Sequence, residues 1–120
     1  MGKRTLQVGR LIRSALTDLI AEMRDTRVKE VILTDVVVSV DLLHARVYLD
    51  VFGDEEEAAR AVQALEYASG YLRRGLAERL NLRNTPELHF LFDRDLRRGE
   101  RVSRLLRDTE EPEDGPEPES

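Results

Sequence analysis

Residues 64–92 constrain the fold of this chain more than any other stretch. A helical pattern runs into three small residues, Ala68-Ser69-Gly70. A second helical pattern, rich in arginine, resumes over 71–82, and Thr85-Pro86 then opens a short strand over 88–92. Small side chains let two helices meet at a bend. Cations just beyond such a bend can join backbone N–H groups around a phosphate. Leu72, Leu76 and Leu80 form the stripe predicted to be buried in the second helix. Arg73 and Arg79 flank that stripe, and Arg74 points away from it. Gly75 weakens the helix by ~1 kcal/mol relative to alanine. In the strand, Leu88, Phe90 and Phe92 share the inward side, and Pro86 restricts the residue before it to extended backbone.

Upstream, residues 6–24 place Val8, Leu11, Ile12, Ala15, Leu16, Leu19, Ile20 and Met23 three and four apart, the spacing of one helix face. The charges divide by sign about that stripe. Arg10, Arg13 and Arg24 fall on one flank, and Asp18, Glu22 and Asp25 on the other. Residues 31–40 are β-branched and predict a strand with Ile32, Val36, Val38 and Val40 inward and Asp35 and Ser39 outward. Residues 41–44 make a turn. A second strand over 45–52 follows, with Ala45, Val47, Leu49 and Val51 inward, so the pair is an antiparallel hairpin. Asp54 caps the next helix with Glu57 at the capping-box position, and Glu55-Glu56-Glu57 complements the positive helix end. Consecutive carboxylates on a helix diverge, so this cluster is read as a helix start and not as a metal site. Ala58, Ala59, Val62, Leu65 and Ala61 are its expected buried face. Residues 96–107 predict a last basic amphipathic helix around Val102, Leu105 and Leu106.

The order α-β-β-α-bend-α-β suits one three-stranded sheet with helices on one face, an α+β fold. Strand order stays open at this level. Residues 1–107 read as one domain. Residues 108–120 carry seven acids, no base and three of the four prolines, and are expected to be disordered. The net charge of −5 therefore conceals a body with nineteen cations against seventeen acids, a net of +2. The tail reads as a solubilising appendage or as a mimic of nucleic acid competing for the basic face. Arginine outnumbers lysine seventeen to two, which base composition, thermal adaptation or phosphate recognition would each produce.

Chemistry-bearing patterns are scarce. No cysteine is present, which removes disulfides and thiolate sites and fits a cytoplasmic chain. No apolar run approaches the ~18 residues of a membrane span. The basic N-terminus lacks the apolar segment of a signal peptide. His44 falls in the turn and His89 on the outer side of the last strand. With no carboxylates clustered about them, surface or packing roles are expected and no metal or cofactor site. Serines lack a nucleophile-elbow context, and there is no phosphate-binding loop or dinucleotide fingerprint. An enzyme is not expected. Tyr48 and Tyr71 read as core-edge packing, with base stacking as the alternative.

Three stretches carry a resemblance. Ala68-Ser69-Gly70 combines with Leu80-Asn81-Leu82-Arg83-Asn84-Thr85-Pro86-Glu87-Leu88-His89-Phe90, and the hairpin contains Thr34-Asp35-Val36, Ser39, Asp41-Leu42 and His44-Ala45-Arg46-Val47-Tyr48. With Gly99-Glu100-Arg101-Val102 and Leu105-Leu106, this pattern resembles the ribosome-binding factor A family over residues 3–107. The element order resembles the type II KH topology, with an Ala-x-Gly bend in place of the usual Gly-x-x-Gly loop. The resemblance implies a KH-like, non-enzymatic, monomeric factor in the cytoplasm, active most in the cold. Such a factor binds the free 30S ribosomal subunit near the decoding-side neck and assists late folding and processing of 16S rRNA. Carried over, Ala68, Ser69 and Gly70 form the bend, and Arg73, Arg74, Arg79 and Arg83 supply charge beside it. Lys3, Arg4, Arg10 and Arg13 add a basic arm and helix flank toward RNA. Recognition of shape and phosphate is implied rather than reading of single-stranded sequence. The alternative is a small protein-interaction domain docking through Val37, Tyr48 and Leu91 on the outer hairpin face.

Overall fold

A computed structural model describes residues 3–97 of the chain. Helix α1, Lys3–Ala21, buries Val8, Ile12, Ala15, Leu16, Leu19 and Ile20 of the predicted stripe, whereas Leu11 is 50% exposed at its edge and Met23 lies past the helix end. It stops earlier than residue 24. The Glu22 N–H reaches the carbonyls of Asp18 and Leu19 and the Met23 N–H reaches Ile20, a tightening that closes the helix. Asp25 then caps a single 3-10 turn, Thr26–Val28, by accepting the Arg27 N–H at 2.9 Å. Arg24 and Asp25 therefore lie off the helix, and the flanks assigned to them from helical angles do not apply.

Strands β1, Ile32–Val38, and β2, His44–Asp50, form the expected hairpin. One detail corrects the alternation. The register slips between Leu33 and Asp35, a β-bulge at Thr34. Leu33, Val36 and Val38 face the core, whereas Ile32 is 50% and Val40 73% exposed. The extra residue moves every side chain before it to the opposite face, which is why strict alternation misplaced Ile32. Val40 lies beyond the strand. In the turn, Asp41 accepts the Leu43 N–H and the Ser39 hydroxyl, and Leu42 takes a left-handed φ of 64°.

Helix α2, Glu55–Tyr67, starts on the full capping box of Asp54 and Glu57. It buries Ala58, Ala61, Ala64 and Leu65, while Ala59 is exposed. Helix α3, Ser69–Arg79, buries Leu72 and Leu76. Strand β3, Glu87–Phe92, adds parallel to β2, so the sheet order is β1-β2-β3 with β2 central. The α2–α3 pair is thus the crossover that a parallel pairing requires. A short helix α4, Arg94–Arg97, follows. The remainder of the basic helix expected over 96–107, with Val102, Leu105 and Leu106, lies outside the described residues, as does the acidic tail.

Helix α1 lies on β1, α2 on β3 and α3 on α1. Glycines permit two of these approaches. A Cβ at Gly9 would come within 2.9 Å of the Val36 carbonyl oxygen, and one at Gly75 within 2.7 Å of Leu19 Cδ2. The helix-weakening glycine of α3 is therefore a packing residue. The fully buried Ile12, Leu16, Val47, Leu49, Leu65, Leu72 and Leu76 fill the space between the helices and the sheet.

Candidate nucleic-acid interface

The bend is one residue wide. Ala68 has φ −90° and ψ 8°, far from helical ψ, yet its N–H still bonds to Ala64 and its carbonyl accepts the Leu72 N–H at 2.9 Å. The chain therefore turns without releasing a loop, and Ser69 and Gly70 belong to the first turn of α3. That turn has no side-chain cap. Its outer surface is polar and aromatic. Gly70 is exposed, and a Cβ there would meet Arg74 Nη1 at 3.9 Å, so the Arg74 guanidinium lies over the bend. Tyr67, 91% exposed, precedes the bend in sequence and Tyr71, 45% exposed, follows it. Tyr67 was missed in the sequence reading. Its place at the last residue of α2, off the buried face, is the signal that marks it.

The other arginines beside the bend have different fates. Arg73 donates Nε and Nη2 to the Thr85 carbonyl at 3.2 and 2.8 Å, which pins the loop before β3 to α3. A carbonyl is neutral, so the cation keeps its charge. Arg79 is paired at 3.0 Å with Glu22, the residue just past α1, and that carboxylate holds its guanidinium more firmly protonated. Arg83 is exposed in the loop that Arg73 anchors.

Helix α1 divides its charges between two neighbours. Its acidic flank, through Glu22 with Asp18 close by, faces Arg79 of α3. Its basic flank opens on a cavity of about 690 Å³ that Arg13, Thr17, Arg24 and Lys29 line together with the apolar Ile20 and Val31. Arg24 thus returns beside Arg13 by the path of the chain and not by helical angle, and Lys29 joins them unforeseen. Lys3, Arg4 and Arg10 are exposed on the first half of α1. Two cations and no acid in the first turn oppose the helix dipole. The sequence tolerates that cost in a helix that is otherwise well packed.

The register of β2 with β3 also gathers three groups that the sequence keeps apart. His44, Glu87 and His89 meet on the face of the sheet away from the helices. The outer hairpin face is less open than the docking alternative needs, since Val37 is only 5% exposed. No helix among the described residues is long and apolar enough to cross a membrane.

A central strand paired antiparallel on one side and parallel on the other, crossed by a bent helix pair on one face, defines a KH-like α+β domain. A family model described as Ribosome-binding factor A matches residues 4–106, and the chain belongs to that family. It is 47% identical to the ribosome-binding factor A of Solibacter usitatus over 106 residues, 88% of this chain and 86% of the relative. The crystal structure of ribosome-binding factor A from Thermus thermophilus superposes with a TM-score of 0.66 at 30% identity, covering 72% of this chain and 93% of that one. A homology model of the Thermus thermophilus protein, fitted into a cryo-microscopy map of its 30S complex, gives a TM-score of 0.60 at 32% identity, covering 71% and 90%.

Proposed function

We propose that this chain binds the free 30S subunit and assists late maturation of 16S rRNA by contact, not by covalent chemistry. The observation that carries the reading is the bend, where Arg74 lies over Gly70 and the nearby Tyr67 and Tyr71 are exposed. A guanidinium neutralises a phosphate, and the tyrosines offer faces for unstacked bases. Lys3, Arg4, Arg10 and Arg13 extend the positive surface along α1, and Arg73 and Arg83 extend it into the loop before β3. Arg79 belongs to the fold rather than to the contact, because Glu22 already neutralises it. The 30S complex of the Thermus thermophilus relative supports the choice of partner.

In this mechanism the rigid scaffold presents fixed cations to a nearly finished particle and stabilises one arrangement of a late rRNA helix. Subunit joining is delayed while the factor is bound. A cytoplasmic location, a monomeric state and a stronger requirement in the cold belong to the same proposal. Co-sedimentation with purified 30S and 70S particles over a series of salt concentrations tests it. Binding should prefer 30S and fall steeply as salt rises, with a slope set by the phosphates contacted. Equal affinity for both particles, or affinity indifferent to salt, contradicts the reading.

A further inference from the structure

His44 is the first residue of β2 and Glu87 the first of β3, and the parallel pairing sets them directly opposite. His89, two residues along, projects from the same face. His44 Nδ1 lies 3.1 Å from His89 Nε2 and 3.4 Å from Glu87 Oε1. His89 Nε2 lies 3.8 Å from the same oxygen. Two imidazole nitrogens at that separation need a positive centre between their lone pairs, either a proton on one of them or a metal ion. A tetrahedral ion with bonds of about 2.0–2.2 Å holds its ligand atoms roughly 3.3–3.6 Å apart. The three separations bracket that value, so the side chains need only small rotations to close on an ion.

We propose that His44, His89 and Glu87 form a binding site for a divalent transition-metal ion, zinc foremost. Two imidazoles and one carboxylate suit zinc, cobalt or nickel, and disfavour magnesium and calcium, which take oxygen ligands. Both rings bind as neutral imidazoles. His44 keeps its proton on Nε2 and His89 on Nδ1. Three protein ligands leave a fourth position, and it faces water, since the His44 and Glu87 side chains are 53% and 59% exposed. The bound ion would clamp the first residues of β2 and β3. Asp41 lies near enough to His44 to favour a cation, while Arg46, in register with His89, opposes it. The proposal is independent of the RNA reading, because the site lies on the sheet face away from the bend.

The full chain without an affinity tag, freed of metal by chelator, tests the site by calorimetric titration with zinc chloride at pH 7.5. One ion per chain should bind, and His44→Ala or His89→Ala should each weaken it by more than about tenfold, with Glu87→Gln weakening it less. The carboxylates of 108–120 offer only oxygen ligands, so the histidine variants and not total uptake decide the outcome. Cobalt gives a second readout on the unmutated protein, namely the intense visible bands of a four-coordinate ion with nitrogen ligands. Zinc affinity unchanged in the doubly substituted H44A/H89A protein, or only the weak bands of six-coordinate cobalt, would overturn the assignment.

Discussion

The Thr34 hydroxyl donates to the carboxylate of Asp93, 59 residues away in the chain. Asp93 is 2% exposed, and its other oxygen accepts the Leu96 N–H at 3.0 Å while its own N–H bonds to the Leu49 carbonyl at 2.7 Å. One residue thus ties three elements, its carboxylate holding the bulge of β1 and the start of α4 and its backbone N–H the end of β2. Thr34→Val removes a donor from a buried charged acceptor and should cost about 1–3 kcal/mol in denaturant unfolding. Asp93→Ala should cost more, and the double variant less than the sum of the two. Strict additivity would show that the two groups do not interact.

Gly9→Ala pits helix propensity against packing. Alanine gains about 1 kcal/mol in a helix interior. Its Cβ would stand 2.9 Å from the Val36 carbonyl oxygen, a backbone atom of β1, and overpacking of that kind costs roughly 1–3 kcal/mol. Packing should win, and the melting temperature should fall. At Gly75 the neighbour is the side chain of Leu19, so Gly75→Ala should be milder and Gly75→Val severe. A more stable G9A protein would mean that α1 is free to shift on the sheet.

Asp25 has its pKa lowered from 3.8 to about 2, first by the Arg27 side-chain hydrogen bond and then by the Arg27 backbone N–H. Because the folded value lies below the unfolded one, the stabilisation is complete above about 3.8 and is lost as pH falls toward 2. Arg27→Ala keeps the backbone donor, so the Asp25 midpoint should rise but stay under 3.8 in a carboxyl-carbon NMR titration. A midpoint that does not move on substitution contradicts the pairing.

Arg74 and Arg79 should separate in 30S binding. Arg74→Glu removes the charge over the bend and should weaken particle binding several-fold with a smaller salt slope. Arg79→Glu sets like charges against Glu22 and should lower thermal stability, with the weaker effect on binding at temperatures where the fold holds. Equal binding losses from the two reversals, with circular dichroism unchanged, would reassign Arg79 to the interface.

Much of the fold was legible along the chain. The stripe of α1, the hairpin, the capping box of Asp54 and Glu57 and the break at Ala68 are all local patterns, and each is present. The site was legible only as a region. Arg73, Arg74 and Arg79 look alike in sequence, yet one pins the loop at Thr85, one covers the bend and one is spent on Glu22. His44 and His89 read as isolated because their distance depends on how β3 pairs with β2, and strand order is not a local property.

The chain's own periodicities and caps settled where its helices and strands form, since those depend on residues within a turn or two of one another. Tertiary structure alone decided the bulge at Thr34, the use of Gly9 and Gly75 as contact points, the pairing of Glu22 with Arg79 and the meeting of two histidines with a glutamate. Each of these is set by which distant residues share a few ångströms of space, and close packing fixes that only when the whole core assembles.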